Sequence, residues 1–296
     1  MKRIHIIGGG VAGCSLAYYL KDEFDVRVYE MKEIGEKPCA WGVPKDIEKF
    51  VKIPDDYILN DIYGVNIYLD GEYFSRNRIR SYIIDKPGFL RYLVKDVDVR
   101  KELIRFRNKK PVLKEENVVI ATGNYFHRSN KMLTVQYVVD GIEVEDMEVW
   151  FFSDLVGYIW VFPCGRLAKV GIGGLMNRWE LESRLRSFLS SYRCDVKRVE
   201  TAHIYMGGID ESLYEFEFPV IGEALGTVYP ITGEGIRPSI VSAYSLAKSI
   251  KSGRSFKEEF EKTGIPSEIR LQKKGFDILV NSSPEERERY LKILLK

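Results

Sequence analysis

The chain has 296 residues, of which 45% are hydrophobic and 30% charged, a composition typical of a folded globular protein. It excludes wholesale disorder, collagen and coiled coil, and the length allows about two domains or one large α/β unit. Lysine and arginine number 45 and aspartate and glutamate 43, so the formal net charge of +2 gives no argument for binding nucleic acid or an anionic membrane surface. Four cysteines in so long a chain exclude a secreted disulfide scaffold and indicate a reducing cytoplasm.

The N-terminal region predicts a strand, a glycine-rich turn, a helix and a second strand. Ile4, Ile6 and Ile7 predict a buried parallel strand, residues 14–20 have a helical apolar pattern, and residues 26–29 predict the second strand. The uncharged start also resembles an export signal, because residues 11–14 are similar to a lipoprotein cleavage box. An export signal has no need of the second strand, and the uncharged run is too short and too glycine-rich for a membrane-spanning helix. We therefore interpret this region as a βαβ unit.

Gly8, Gly10 and Gly13 have the spacing of a dinucleotide-binding fingerprint in the turn between strand and helix. In that motif the first glycine permits the tight turn, the second lets the backbone approach a pyrophosphate, and the third lets the helix pack closely on the strand. The pyrophosphate then lies at the helix N-terminus, where the partial positive charge stabilises it. The residues predicted to bind it are Gly8, Gly10, Val11, Ala12 and Gly13.

Glu30 ends the second strand of this unit. An acid at this position accepts hydrogen bonds from the adenosine ribose hydroxyls, and its charge disfavours a 2′-phosphate. The alternative is a plain βαβ unit in which Glu30 has no ligand. The order of strand, glycine turn, helix, strand and acid favours the dinucleotide site.

Beyond residue 30 the chain alternates between strand-like and helical segments. In chain order we predict strands at 62–69, 73–74 and 78–84, a helix at 87–94, a strand at 117–123, a β-rich stretch at 132–174, a helix at 179–189, strands at 197–206 and ending at 219–222, and a helix at 235–250. From residue 255 onward the chain is charged and mostly helical.

This order predicts an α/β fold in which a Rossmann-like nucleotide-binding domain is interrupted by an antiparallel β-rich substrate domain. The nucleotide-binding domain is predicted at residues 1–60, 76–125 and 215–254, the β-rich domain at 61–75 and 126–214, and a C-terminal helical segment at 255–296.

Three further segments carry short motifs. They are residues 37–42 (Lys-Pro-Cys-Ala-Trp-Gly), residues 158–163 (Tyr-Ile-Trp-Val-Phe-Pro), and residues 222–224 (Gly-Glu-Ala) followed by 230–236 (Pro-Ile-Thr-Gly-Glu-Gly-Ile). Together with the N-terminal fingerprint, these segments resemble the FAD-dependent geranylgeranyl reductase family, a branch of the glutathione-reductase-like flavoproteins. The resemblance covers roughly the first 250 residues.

The resemblance implies a cofactor, FAD, and a role for each motif. The first segment would lie near the flavin, with Cys39 as the expected catalytic residue on the proton path. The expected FAD contacts beyond the fingerprint and Glu30 are Lys37, Ala121, Gly123, Glu223, Gly233, Gly235 and Ile236. The expected substrate contacts are Trp41, Tyr158, Trp160, Phe162 and Pro163.

Several positions depart from the family pattern. Glu223 replaces an aspartate and is one methylene longer, and Leu155 replaces a proline. Ala40 and Trp41 replace glycines beside Cys39, and the bulky Trp41 would narrow access to the flavin.

The physical chemistry of the same residues leaves alternatives open. Gly233 and Gly235 allow backbone N–H groups to approach a ligand, and a helix that starts near Gly235 would stabilise negative charge on the flavin pyrimidine edge. The alternative is that Gly233 and Gly235 only form an ordinary cap where the loop enters the helix and bind no ligand. Lys37 lies beside Cys39, which favours a reactive thiol near the reacting centre, and the alternative is an inert loop cysteine.

Tyr158, Trp160 and Phe162 alternate and therefore share one face of a strand. That face is either the core of an antiparallel sheet or an apolar wall above the flavin, and both can hold together. No pair of cysteines has the spacing of a metal site, so we predict no metal. Whether Cys164 and Cys194 form a disulfide is not decided by the sequence.

These motifs favour an FAD-dependent oxidoreductase that reduces carbon–carbon double bonds of an isoprenoid lipid by hydride transfer from flavin N5. A single fingerprint leaves no dedicated NAD(P)H domain, so the electrons would come from a ferredoxin-like carrier or a transiently bound nicotinamide. One alternative is a hydroxylase, halogenase or quinone-linked oxidoreductase on the same scaffold, although hydroxylases usually carry an Asp-Gly pair near residues 121–123 and this chain lacks that aspartate. A second alternative is a non-catalytic flavin- or lipid-binding protein.

The expected location is the cytoplasm, with a peripheral membrane contact left open. Residues 290–296 are mildly amphipathic, so this segment either packs on the body of the protein or touches a membrane surface.

Overall fold

The computed structural model describes residues 3–295, so residues 1–2 and 296 of the predicted terminal segments lie outside the described residues. Residues 3–295 form fourteen strands and seven α-helices, joined by loops and short 3-10 turns. The strands are β1 (Arg3–Ile7), β2 (Asp25–Glu30), β3 (Gly42–Pro44), β4 (Ile58–Leu69), β5 (Glu72–Ile84), β6 (Asp98–Lys101), β7 (Phe106–Arg107), β8 (Lys110–Pro111), β9 (Val118–Ile120), β10 (Lys131–Asp140), β11 (Met147–Phe151), β12 (Gly157–Cys164), β13 (Leu167–Gly174) and β14 (Asp195–Tyr205). The helices are α1 (Val11–Leu20), α2 (Lys86–Leu93), α3 (Arg178–Leu189), α4 (Ile236–Ser252), α5 (Phe256–Glu261), α6 (Ile265–Asn281) and α7 (Pro284–Leu294).

The first sheet is parallel. Within the described residues it contains four strands in the order β6-β2-β1-β9. Ile6 lies opposite Val28 of β2 and Val119 of β9, and all three side chains are buried, as expected for strands covered on both faces. Helix α1 packs against both β1 and α4. This arrangement confirms the predicted Rossmann-like domain.

The second sheet is larger and mostly antiparallel. In residues 3–295 it contains eight strands in the order β14-β10-β13-β12-β11-β4-β5-β3, of which β4 and β11 form a parallel pair. One face packs on α3, where Val161 and Val170 join Leu181 in a buried cluster. The opposite face carries Trp160 and Lys169. The sheet confirms the antiparallel β-rich part of the predicted fold class.

Strand β5 corrects the predicted strands at 73–74 and 78–84, which belong to one continuous strand. Its partner β3 pairs with residues 81–83, and most of the preceding residues 72–80 lie exposed along the edge. A solvent-facing edge needs no regular apolar alternation, so the polar residues at 75–77 do not interrupt the strand. The predicted domain boundary between residues 75 and 76 therefore falls inside a strand.

The predicted strand that ends at residues 219–222 does not form within the described structure. Val220 makes an isolated parallel bridge to Ile120 of β9. Pro219 has no N–H to donate to a ladder, and Gly222 has φ +66°, which is outside the extended region. The chain therefore touches the sheet and turns away.

The C-terminal helices close one side of the large sheet. Leu279 of α6 and Leu291 of α7 pack against Ile67 of β4 and Phe151 of β11. This contact makes α6 and α7 a wall over the sheet. None of the described helices is long and apolar enough to cross a membrane.

Arg287 of α7 ties this wall to the body, because its buried guanidinium donates to the carbonyl oxygens of Leu279 (3.0 Å), Ser153 (2.6 Å) and Ser282 (2.8 Å). We expect Arg287→Met to lower the free energy of unfolding by about 2–4 kcal/mol, since three carbonyl oxygens lose a charged donor. Arg289→Met removes an exposed arginine from the same helix and should change that free energy by less than about 0.5 kcal/mol. Urea unfolding followed by circular dichroism measures both, and equal changes would contradict this role of Arg287.

Candidate functional site

The glycine turn after β1 contains two close approaches of backbone. Gly8 has φ +116°, and a Cβ there would lie 2.2 Å from the carbonyl oxygen of Ala121 at the end of β9. A Cβ on Gly13 would lie 1.9 Å from the carbonyl oxygen of Gly8, so glycine lets α1 approach β1 this closely. At Gly10 a Cβ would meet no described atom within 4 Å. Gly8 and Gly13 therefore shape the turn, while Gly10 borders open space.

The N-terminus of α1 is available to an anion. Among residues 3–295 no side chain caps this helix, and its first turn contains no acidic residue. Val11, Ala12 and Gly13 are its first three residues, so the N–H groups that a helix start leaves unpaired include theirs. Their partial positive charge suits a phosphate group.

Glu30 lies beside the same turn. Its Oε2 accepts a hydrogen bond from the backbone N–H of Gly9 at 2.7 Å, and its Oε1 accepts from the N–H of Lys32 at 2.9 Å. An ionised carboxylate has about four acceptor positions, so these two bonds orient Glu30 and leave capacity for ribose hydroxyls.

The glycine turn, the start of α1 and Glu30 together form what we call the cradle. Residues far along the chain add a third wall to it. Gly222 has φ +66°, and a Cβ there would lie 2.5 Å from Cβ of Ala12, so the loop before α4 reaches the start of α1. Glu223 Oε1 accepts from the N–H of Tyr205 at 2.8 Å, while its Oε2 forms an ion pair with Nζ of Lys37. A Cβ on Gly123 would lie 3.4 Å from Glu223 Oε2. The fold thus brings together four of the predicted site residues, Ala12, Lys37, Gly123 and Glu223.

Thr122 lies between two residues of the predicted site, Ala121 and Gly123. Its hydroxyl oxygen is buried and has no hydrogen-bond partner among the described residues. Buried hydroxyls normally have a partner, so this oxygen beside an open cradle fits a ligand that supplies one.

The loop before α4 joins the cradle to the large sheet. The hydroxyl of Tyr158 donates to the carbonyl oxygen of Thr232, and a Cβ on Gly233 would lie 3.2 Å from that hydroxyl oxygen. Gly235 is the N-cap of α4, and no side chain of the described residues caps it. Ile236 begins the helix, and its side chain lies in the core that contains α1. This loop offers a second helix start to a ligand.

A partly buried ion pair lies beside this second helix start. Glu234 Oε1 accepts from Nε of Arg237 at 3.0 Å, and Arg237 also donates to the hydroxyl of Tyr229 at 3.1 Å. Burial raises the pKa of Glu234 above its usual range, and the charge of Arg237 opposes that shift. The motif at 230–236 contains this acid, and the i, i+3 spacing to Arg237 was the available signal for its partner.

These observations fit FAD, which has an anionic pyrophosphate and a flavin ring to hold. The structure provides open space at Gly10, two helix starts without side-chain caps, an oriented Glu30 carboxylate, and a Thr122 hydroxyl without a hydrogen-bond partner. That no side chain caps these two helix starts and that no group bonds to the Thr122 hydroxyl holds for residues 3–295. The assignment of individual contacts stays a prediction.

The segment that contains Cys39 lies between the two sheets. Cys39 is half-buried, its Sγ accepts from the N–H of Trp41 at 3.4 Å, and its carbonyl oxygen accepts from Nζ of Lys169 at 2.8 Å. Gln136 Nε2 donates to the same carbonyl oxygen at 3.4 Å. Sequence reasoning missed Lys169 and Gln136. The available signal for Lys169 was a charged residue inside an otherwise apolar, glycine-rich strand.

The three aromatic residues of β12 lie on one face of the strand, as predicted, but their side chains contact two different surroundings. The register places Tyr158, Trp160 and Phe162 on one face of β12. Tyr158 and Trp160 line an apolar cavity, whereas Phe162 packs beside Trp41 in a neighbouring cluster. Pro163 lies on the opposite face, which packs on α3, because one step along a strand reverses the side chain. The structure therefore does not bring Pro163 to the cavity.

The cavity lies between the large sheet, the loop before α4, and helices α6 and α7. Its volume is about 40 Å³. The lining is mostly apolar and includes Met132, Phe151, Ile204, Met206, Phe276 and Leu291. Sequence reasoning missed the helical side of this wall, for which the amphipathic pattern of the C-terminal helices was the available signal.

Two further expectations concern cysteines and metals. Over residues 3–295 the four cysteine thiols are unpaired, so the Cys164–Cys194 disulfide does not form. Within the same residues no group of three His, Cys, Asp or Glu side chains could hold a metal ion.

The two helix-start glycines give a matched test of the cradle. We expect Gly10→Ala to weaken FAD binding about tenfold or more while it changes apoprotein stability by less than about 1 kcal/mol, since its methyl group enters the space beside the helix start. Gly13→Ala should lower apoprotein stability by about 1–3 kcal/mol, because its methyl group meets the carbonyl oxygen of Gly8. Visible absorbance measures bound FAD, and thermal unfolding measures stability. Unchanged FAD binding in Gly10→Ala would contradict the cradle.

Comparison with known proteins agrees with this geometry. A family model described as an NAD(P)-binding Rossmann-like domain matches residues 6–35. The digeranylgeranylglycerophospholipid reductase of Thermoplasma volcanium is 25% identical in an alignment of 307 positions that covers 83% of this chain and 77% of that protein.

Solved structures show the same fold. A geranylgeranyl bacteriochlorophyll reductase-like protein of Thermoplasma acidophilum superposes with a TM-score of 0.78 at 22% identity, covering 98% of this chain and 90% of its own. The myxobacterial chondrochloren halogenase CndH, a variant of the FAD-dependent halogenases, has a TM-score of 0.61 at 14% identity, covering 88% of this chain and 78% of its own. By sequence similarity over most of its length and by fold, the chain is similar to the geranylgeranyl reductases among the FAD-dependent flavoproteins, which confirms the resemblance predicted from its motifs.

Proposed function

We propose that the chain is an FAD-dependent oxidoreductase that reduces carbon–carbon double bonds in the isoprenoid chain of a lipid. The observation that carries this proposal is that Gly233 belongs to both parts of the site. Gly233 lies in the loop that starts α4, where flavin contacts are expected, and it also lines the apolar cavity beside Tyr158. An apolar chain in this cavity would therefore lie against the cofactor loop.

The residues of the chain have separate tasks around the cofactor. When bound, FAD supplies the hydride equivalent for the alkene. The start of α1 holds the pyrophosphate and Glu30 holds the ribose, while Lys37 and Glu223 line the middle of the cradle. At the flavin end of the cofactor, the start of α4, which has no side-chain cap, stabilises negative charge on the ring. Tyr158 and Trp160 exclude water from this end of the site.

Cys39 is the proposed source of the proton. Reduction of an alkene adds one hydride and one proton, so a proton donor is required at the edge of the substrate site. The thiol of Cys39 is oriented by the N–H of Trp41, and its segment lies between the cofactor cradle and the large sheet.

The cavity must widen to admit a lipid chain. At about 40 Å³ it has room for only a few water-sized groups. We infer that α6 and α7 move outward when the lipid enters, since they form the helical wall of the cavity. Tyr290, Ile293 and Leu294 expose apolar surface on α7, which suits a peripheral contact with the membrane that holds the substrate.

The electron donor is proposed to be a separate ferredoxin-like carrier or a transiently bound nicotinamide. The single glycine fingerprint is assigned to FAD, and the sequence contains no second one that would hold NAD(P)H.

The proposed reaction is tested with the purified protein reconstituted with FAD and reduced without oxygen. We expect a geranylgeranyl lipid to reoxidise the flavin and to yield a product with fewer double bonds, measured by visible spectroscopy and mass spectrometry. Reoxidation by oxygen alone, with no lipid product, would favour the hydroxylase or halogenase alternative, whose fold this chain shares. A protein that takes up no FAD would refute every flavin-dependent function.

Cys39→Ser tests the proton donor. We expect the rate of lipid reduction to fall by about 100-fold or more with FAD binding unchanged, because a hydroxyl is a much weaker acid than a thiol. Cys194→Ser, a half-buried cysteine in a different loop, is the matched control and should keep the wild-type rate. An unchanged rate in Cys39→Ser would assign the proton to another group.

A further inference from the structure

Lys169 is a buried lysine in the middle of β13. Its exposed fraction is 1%, whereas lysines are rarely buried to this degree without a partner. The register places it opposite Phe162 of β12, on the face that also carries Gly171 and Gly173. That face points toward the Cys39 segment, so the lysine is aimed at the functional site and not at the α3 core.

The ammonium group of Lys169 meets two parts of that segment. Its Nζ donates to the carbonyl oxygen of Cys39 at 2.8 Å. The same Nζ lies 2.9 Å from the centroid of the Trp41 ring, a cation–π contact in a desolvated place. One positive charge thus holds both the cysteine backbone and the tryptophan side chain.

Trp41 needs such support because its backbone is strained. Its φ is +72°, a region that non-glycine residues rarely adopt. The N–H of Ile84 donates to its carbonyl oxygen at 3.2 Å, and its own N–H donates to Cys39 Sγ. These backbone contacts fix the two ends of the residue, and Lys169 holds the ring.

We propose that Lys169 is a positioning residue that clamps the segment 39–41 against the large sheet and thereby holds the Cys39 thiol in place. The importance of that thiol for a reaction rests on the proposed function, whereas the clamp itself is a property of the folded chain.

The clamp is expected to respond to pH. Burial lowers the pKa of Lys169 to about 8. The thiols of Cys164 on β12 and Cys39 on the loop and the carboxylate of Glu200 on β14 oppose that shift, while Lys86 on α2 adds to it. The ammonium charge is therefore present below this pH and is lost as the pH rises through it, which weakens both contacts of the clamp.

Trp41 fluorescence in the full chain tests this response. The difference between wild-type and Trp41→Phe spectra isolates Trp41 from the other tryptophans. We expect its emission to change with a midpoint near pH 8, and we expect Lys169→Met to abolish the change. Lys197→Met removes an exposed lysine from β14 and should retain it, as should Cys39→Ser and Cys164→Ser, which control for thiol titration. A wild-type protein with no transition, or a transition that persists in Lys169→Met, would overturn the proposal.

Alkylation of Cys39 by iodoacetamide, followed by peptide mass spectrometry, gives a second readout. We expect Cys39 to react about tenfold faster in Lys169→Met than in Lys197→Met, because the released segment opens more often. Cys194 should react equally in both. Thermal unfolding of both variants is measured alongside, and faster Cys39 alkylation with unchanged Cys194 alkylation, under conditions where both variants are folded, would reflect local release of the segment. Equal Cys39 rates would overturn the clamp.

Both readouts are independent of FAD and of lipid. Failure of the proposed reductase activity would leave their outcome unaffected, and failure of the clamp would leave the proposed activity to its own test. If Lys169→Met does not fold, the wild-type and Trp41→Phe titrations still decide whether Trp41 senses a group with a midpoint near pH 8.

Discussion

The close contact between α1 and β1 at the glycine turn is the constraint on which the rest of the site depends. Gly13 brings the helix start against the carbonyl oxygen of Gly8, and Gly8 in turn lies against the end of β9. Helix α4 packs on α1, and the loop before it reaches Ala12 through Gly222. A larger side chain at Gly8 or Gly13 would push the turn away from β9 or α1 away from the turn, and one at Gly222 would push the loop before α4 away from α1. The geometry of the cradle is therefore a consequence of backbone packing.

Charge is distributed unevenly around this cradle. Lys86 and Lys169 are buried on the side of the Cys39 segment, and Glu234 pairs with Arg237 beside the start of α4. Buried charges are costly unless they are paired or hydrogen-bonded, and these groups bond to backbone carbonyls or to each other. The opposite side, toward α6 and α7, is apolar. A polar cofactor and an apolar substrate can thus meet at one boundary.

The large sheet contributes differently through its two faces. One face forms an ordinary core with α3. On the other face, Gly171 makes room for the ring of Trp160, since a Cβ there would lie 2.1 Å from it. Glycines and aromatic residues on facing strands therefore create a recessed surface, on which Lys169 and the Cys39 segment meet. On this same face Tyr158 and Trp160 line the cavity that α6 and α7 close.

The sequence by itself determined the parts of the protein that depend on neighbours in the chain. The glycine turn, the order of strand, helix and acid up to Glu30, and the helical pattern of α4 are local, because backbone preference and hydrophobic periodicity act over a few residues. Alternation along β12 also gave its two faces, although the assignment of Pro163 to the cavity ignored that alternation. Tertiary structure alone decided the contacts between distant segments. The Lys37–Glu223 pair joins residues 186 positions apart, and the Lys169 clamp and the α6–α7 wall depend on how the two sheets and the C-terminal helices pack. A local pattern marks Lys169 and the amphipathic C-terminal helices as unusual, but it does not name their partners, since the packing of whole elements sets those.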